Sequence, residues 1–305
     1  MRAPTGQQFV LSHKTATAVI TEVGAAIRQL SFDGVDVMEP YAADVVPPFV
    51  SGGVLVPWPN RIRDGIWHLD GEEQQLDLTE PDKHNAIHGL VRDRPHTVVE
   101  QSENAITLGV TIYPTRGYPF EVWSAIRYEL TDGGLVVTHD LRNVGDVPAP
   151  VAVGVHPFFR VGDVPTDEVM LTTSAASWIE TDDRLLPTAT LPVDGLPFDL
   201  RAGRPIGDLA LDDAFADLTV DNGESIVTLR APDGRTVELW QDENFPYLQI
   251  FTTRIFPRAD GLATAIAIEP MTAPAEAFNS GDGLRWLQPD ESWSLSWGVR
   301  YSERG

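Results

Sequence analysis

The chain has 305 residues, no cysteine, and 22 lysines and arginines against 45 aspartates and glutamates, for a formal charge of −23. That balance excludes nucleic acid and anionic membrane surfaces as partners, since both select a basic footprint. The missing thiols exclude disulfides, cysteine nucleophiles and cysteine-bound zinc or iron–sulfur centres. The first ten residues, Met1 to Val10, hold no apolar signal segment and no later stretch reaches 18 apolar residues, so a cytoplasmic protein, monomer or homodimer, is expected.

A chain of this length removes about 75% of its unfolded surface from water, enough for a sizeable core. Strand-and-turn punctuation dominates from the start. Phe32-Asp33-Gly34-Val35 sets an Asp-Gly turn between apolar flanks. Val122, Ser124, Ile126, Tyr128 and Leu130 alternate with Trp123, Ala125, Arg127 and Glu129, and Asp132-Gly133-Gly134 then turns into the run Leu135 to Leu141. Ser225 to Arg230, Pro232-Asp233-Gly234 and Thr236 to Trp240 make a third hairpin. Trp293, Leu295, Trp297, Val299 and Tyr301 share one face of a last strand. The period is two throughout. With 24 prolines and 25 glycines spread over the chain, the pattern predicts one all-β domain over residues 1–305, a large antiparallel β-sandwich with few short helices. The stretch from Pro187 to Pro205 is expected to be a long loop on that domain.

Several segments carry groups that could do chemistry. Arg61 follows Pro57-Trp58-Pro59-Asn60, where a pinned backbone suits a fixed guanidinium fork; a loop staple is the equal alternative. His84 and His88 lie four apart, but Asn85 stands where a zinc helix carries glutamate, and Pro81 and Gly89 leave little room for a helix, so no metal site is expected. A histidine followed by Gly89, where backbone can approach a ligand closely, is the more attractive use of His88. The apolar run Val151 to Val155 ends in His156-Pro157, and a second run, Ala265 to Ile268, ends in Glu269-Pro270. Each places one titratable group at an extended strand end beside a proline, the arrangement of an acid and a base on rigid elements, although such residues are more often structural. Asp212 and Asp213 sit between apolar neighbours. Trp58, Phe158 and Trp178 are among the aromatics that could stack on a sugar ring, with packing their commoner use. Walker, Rossmann and nucleophile-elbow motifs are missing, so no cofactor is expected.

Asn60-Arg61-Ile62, Ile87-His88-Gly89, Val155-His156-Pro157-Phe158-Phe159, Leu211-Asp212-Asp213, Leu248-Gln249-Ile250-Phe251 and Ile268-Glu269-Pro270, in this order, are similar to the motifs of the aldose 1-epimerase, or galactose mutarotase-like, family. The resemblance runs from about Gly24 to Tyr301. It implies a super β-sandwich and a metal-free, coenzyme-free interconversion of the α and β anomers of a monosaccharide. Carried over by position, Glu269 looks like the base that takes the C1 hydroxyl proton and His156 like the acid that protonates the ring oxygen. Arg61, His88, Asp213 and Gln249 resemble the sugar-binding positions, with Asp213 preferred over Asp212.

The chain departs from the galactose mutarotase pattern at Leu90, where a second glycine is usual, and around His156, where Val155, Phe158 and Arg160 differ. Those departures leave the sugar open. A hexose-6-phosphate 1-epimerase or sulfonated-sugar mutarotase would use some of Arg63, Arg92, Arg94, Arg160, Arg254 and Arg258 around the pocket, where surface charge balance is the simpler role. A non-catalytic sugar-binding protein of the same fold is the rival outside enzymes, disfavoured because binding alone needs no acid and base pair.

Overall fold

The computed structural model describes residues 3–303. Two large antiparallel sheets dominate. The first has nine strands in the order Thr97–Gln101, Ala105–Ile112, Val122–Thr131, Gly134–Asn143, Ser292–Ser302, Thr236–Asp242, Glu224–Arg230, Met170–Thr173 and Arg204–Pro205. The second runs Pro187–Pro192, Ser177–Thr181, Asp212–Ala216, Tyr247–Arg258, Gly261–Met271, Gly154–Val155 and Val54–Leu55, with Phe158–Phe159 also paired to Gly261–Met271. A four-stranded sheet of N-terminal strands, Gln8–His13 to Val35–Asp36, packs into the same core.

The three expected hairpins form with the turns where the glycines stand. Thr131 pairs with Gly134, Phe32 with Val35, and Arg230 with Thr236. Val122, Ser124, Ile126, Tyr128 and Leu130 are all buried, as are Trp293, Leu295, Trp297 and Val299, so the period-two reading gives the inward face correctly. Ile126, Val137, Leu239 and Val299 of the nine-stranded sheet share one apolar cluster with Leu248, Ile250, Ile266 and Ile268 of the eight-stranded sheet. The core therefore lies between the sheets. Among the described residues the one α-helix is the four-residue Ala277–Ser280, and no helix is long and apolar enough to cross a membrane.

The stretch expected to be a long loop is partly strand. Pro187–Pro192 pairs with Ser177–Thr181 at the edge of the eight-stranded sheet, with a bulge at Glu180 and Thr181. An edge strand has a side that donates nothing to a neighbour, which is where proline is tolerated, so proline content alone misread this segment.

What positions the site is the other face of the eight-stranded sheet. In Gly261–Met271, Ile266 and Ile268 point into the core between the sheets, while Ala265 and Ala267 point the opposite way and pack with Phe158 and Phe256. Small residues on that face leave room above the sheet. Glu269 continues the alanine side of the alternation and stands at the end of it.

Candidate active site

Above that face lies a cavity of about 260 Å³ lined by Asn60, Arg61, His88, His156, Asp212, Gln249 and Glu269, with Phe49, Glu80 and Arg92 on its walls. Glu269 and Gln249 are direct cross-strand partners, and their parity puts both on the cavity side. His156 is held from both flanks of its peptide. Its N–H donates to the Gly53 carbonyl at 3.1 Å and its carbonyl accepts from Gly52 N–H at 2.8 Å. The imidazole stacks on Phe158, with centroids 5.4 Å apart and planes at 26°, and meets the His88 ring edge-on at 5.4 Å and 84°. His156 Nε2 stands 3.3 Å from Glu269 Oε1.

This corner is dry and incompletely satisfied. Glu269 is 2% exposed and His156 6%. His156 Nδ1, His88 Nδ1 and Glu269 Oε2 are buried with no hydrogen-bond partner among the described residues. Such groups normally find partners, so an unmet set at one place is a candidate functional position. Burial also resists charge. It drives the Glu269 carboxyl well above its ordinary value, with the nearby Asp212 charge adding and Arg61 opposing. Burial lowers His156 from 6.5 to about 4, helped by the charges of Arg92 and Arg61. His88 is lowered well below 6.5 by burial first, then by His156, Arg92 and Arg61. Burial thus favours the neutral form of each group, the protonated carboxyl and the unprotonated imidazole.

The opposite side of the cavity is saturated with hydrogen bonds. Arg61 donates a fork to Glu80, Nε to Oε2 and Nη2 to Oε1, both at 2.9 Å, and its Nη2 lies 3.7 Å from Asp212 Oδ2. Gln249 donates to Asp212 at 2.8 Å and accepts from Asn60 at 3.1 Å, while Asn85 donates to Glu80 at 3.0 Å. The fork follows from local pairing: Arg61–Arg63 and Asn85–Ile87 form a two-stranded ribbon, and Asn85 in turn bridges Glu80. Burial would raise Glu80, but hydrogen bonds from Arg61 and Asn85 bring it below its ordinary value. Burial raises Asp212, against the pull of Arg61 and Gln249.

An aldose 1-epimerase family model matches residues 7–300. The chain belongs to the aldose 1-epimerase family. It is 31% identical over 300 residues to the uncharacterized protein YihR of Escherichia coli (strain K12), covering 98% of this chain and 94% of that one. Its fold matches a galactose mutarotase-like protein from Clostridium acetobutylicum with a TM-score of 0.84 at 20% identity, over 96% of this chain and 94% of the other. An aldose epimerase homologue from C. elegans matches with a TM-score of 0.85 at 19% identity, over 98% and 99%. At these identities the solved structures establish the mutarotase-like sandwich fold.

Within this aldose 1-epimerase fold, Arg61, His88, His156, Gln249 and Glu269 come together around one cavity. Asp213 does not join them. Its Oδ1 accepts from Trp178 Nε1 at 2.8 Å, and the residue that lines the cavity is Asp212. The reason is strand parity: in Asp212–Ala216, Asp213 shares its side with the core residues Leu211 and Phe215, which turns Asp212 to the cavity. His84 lies apart, exposed and paired with Asp64 at 2.8 Å. Among the described residues no group of three or more metal-ligating side chains converges.

Three contributors escaped the sequence reading. Glu80 has no spacing relation to Arg61 that a motif would reveal. Asn60 appeared only as part of a motif, although it reaches Gln249. Phe49 sits in a turn where it and the β-branched Val50 both adopt left-handed backbone, with φ of 50° and 59°. That strained turn leads into Gly52 and Gly53, which hold His156, and its phenyl ring lies 5.9 Å from Phe251 and 6.1 Å from Phe158 and Phe256 at the cavity wall.

Proposed function

We propose that this aldose 1-epimerase family protein is a mutarotase, interconverting the α and β anomers of a monosaccharide by ring opening and closure. Glu269 serves as the base at the C1 hydroxyl and His156 as the acid at the ring oxygen. The sugar is held by Arg61, His88, Gln249 and Asp212. The observation that carries the reading is the contact of Glu269 with His156 at 3.3 Å in a buried corner where His156 Nδ1, His88 Nδ1 and Glu269 Oε2 have no partner among the described residues.

The chemistry needs one proton taken from O1 and one given to O5, with none gained or lost overall. In this mechanism the pair carries one proton between its members, in keeping with the raised carboxyl and the lowered imidazole. Passing it from Glu269 to His156 across 3.3 Å yields carboxylate and imidazolium without uptake from solvent. The carboxylate then removes the O1 proton as the imidazolium protonates O5, the hemiacetal bond opens to the aldehyde, and the C1–C2 bond rotates. Closure on the other carbonyl face runs the transfers backwards with the roles exchanged. Each positioned group contributes about 10²–10⁴-fold. Burial opposes each separate charge, but the low dielectric strengthens the attraction between the carboxylate and the imidazolium once both have formed.

The test is the approach of freshly dissolved α-glucose and α-galactose to anomeric equilibrium, followed by polarimetry or NMR. Acceleration proportional to protein concentration is expected with at least one of them. Saturable sugar binding with an unaltered rate of equilibration would instead identify a sugar-binding protein.

A further inference from the structure

Arg61 is placed by a chain of contacts that begins outside the cavity. The edge hairpin of the eight-stranded sheet, Ser177–Thr181 with Pro187–Pro192, turns at Asp182-Asp183-Arg184-Leu185. Asp182 Oδ1 accepts from the N–H groups of Arg184 and Leu186 at 2.9 and 3.0 Å, and Leu185 takes left-handed backbone with φ 60°. An aspartate that bonds the backbone of its own turn presets the conformation of the tip.

The tip lies against the segment that enters the ribbon carrying Arg61. Arg184 Nε donates to the Lys83 carbonyl at 3.0 Å, and its Nη2 donates to the His84 carbonyl at 2.8 Å, Asp64 Oδ1 at 2.9 Å and Asn85 Oδ1 at 3.1 Å. Two cations answer from the other side. Lys83 Nζ donates to the Asp183 carbonyl at 3.1 Å, and Arg63 Nη2 stands 3.5 Å from Asp182 Oδ2. A lone surface ion pair would hold little. Here one guanidinium gathers two carbonyls, a carboxylate and an amide from a segment about 100 positions away in the chain.

Asn85 is the relay. It is fully buried, and its Nδ2 donates both to Glu80 Oε2 at 3.0 Å and to the Arg184 carbonyl at 3.2 Å. Its amide is therefore held between the hairpin tip and the cavity wall. Glu80 takes Nε and Nη2 of Arg61, which leaves Nη1 with one long bond, 3.5 Å to Asn60, among the described residues. The donors of Nη1 remain for a ligand, in an orientation that Glu80 sets.

We infer that Arg184 is a positioning residue of the sugar site. It latches the hairpin tip onto Lys83, His84 and Asn85, and through Asn85 and Glu80 it holds the Arg61 fork in its binding orientation. This rests on the mutarotase reading for the identity of the ligand as a sugar. A connected network of this kind transmits the loss of one member to the next.

Calorimetric titration of wild type, Arg184→Met, Arg184→Lys, Glu80→Gln and the double variant Arg184→Met with Glu80→Gln tests it. Glucose and galactose are the probes, with anomeric exchange followed by NMR in the same solutions. Arg184→Met should weaken binding and raise KM about tenfold, while kcat stays within about twofold, because Glu269 and His156 lie outside the chain of contacts. Arg184→Lys keeps one donor without the fork and should recover part of the loss. If Arg184 acts through Glu80, the double variant binds no worse than Glu80→Gln alone; a role in general stability would make the two losses add. Hydrogen exchange on the free proteins gives a readout that needs no sugar. Arg184→Met should speed exchange at Asn85–Ile87 and leave Tyr247–Arg258 unchanged. Wild-type affinity in Arg184→Met, additive losses in the double variant, or unaltered exchange at Asn85–Ile87 would each overturn the inference. Sugar binding that depends on Arg184 without faster anomeric exchange would retain it and refute the mutarotase. Faster anomeric exchange with a KM that Arg184→Met leaves unmoved would do the reverse.

Discussion

The two sides of the cavity are built on opposite principles. Around Arg61, the side chains of Glu80, Asn85, Asp212, Gln249 and Asn60 are linked in an unbroken set of hydrogen bonds and close charges. Around Glu269, three buried polar atoms lack a partner among the described residues, and Glu269 and His156 are pushed toward their neutral forms. A satisfied network fixes geometry and loses little when a ligand arrives, whereas an unsatisfied buried pair is costly to maintain and is retained where proton movement is the task. In the proposed mutarotase the first side holds the sugar and the second moves the protons. Phe49 and the strained turn beneath it belong to the reacting side, because the glycines that follow anchor the His156 backbone.

The contrast is broken most visibly by exchanging the adjacent aspartates. Asp212→Asn removes a charge from the positioning network and should raise KM about 10- to 100-fold, from the loss of about 1–3 kcal/mol of hydrogen bonding to an ionised group. Asp213→Asn, which touches only Trp178 and the neighbouring peptide, should leave KM within about twofold. Steady-state kinetics on the preferred sugar decide it, and equal effects from the two changes would contradict the parity argument.

A smaller effect sharpens the contrast through pH. Glu269 has a folded pKa above its ordinary 4.5, so the stability linked to it is present below pH 4.5 and is lost as pH rises toward the folded value. His156 is lowered from 6.5 to about 4, so its contribution is present above pH 6.5 and is lost as pH falls toward 4. Glu269→Gln keeps the second dependence and loses the first. Its stability relative to wild type should therefore improve above pH 4.5, by up to about 1.4 kcal/mol per pH unit until the folded pKa is reached. Thermal melts of both proteins across that range would show a constant difference if Glu269 were not held protonated by burial.

Much of the fold was legible because its signals are local. Alternation over Val122 to Leu130 and Trp293 to Tyr301, and Asp-Gly or Gly-Gly turns between apolar runs, set faces and hairpins within ten residues of chain. His156 and Glu269 stood out for the same reason, each closing an apolar run before a proline. The failures are non-local or concern parity. Glu80 meets Arg61 only because a short ribbon folds back, and no spacing encodes that contact. The choice between Asp212 and Asp213 did have a signal, since Leu211 and Phe215 are large, apolar and in step with Asp213. Pro187 to Pro192 was misread because proline reports a missing donor, which a loop and an edge strand tolerate alike.

The central claim is that Glu269 and His156 share the proton that opens the ring. It is tested most directly by anomeric exchange at saturating sugar in wild type, Glu269→Gln and His156→Asn, with sugar affinity measured on each. Each variant should bind within a few-fold of wild type while losing about 10²–10⁴-fold in kcat. Wild-type turnover in Glu269→Gln would contradict the account by showing that the proton is carried elsewhere, with His88 the nearest alternative.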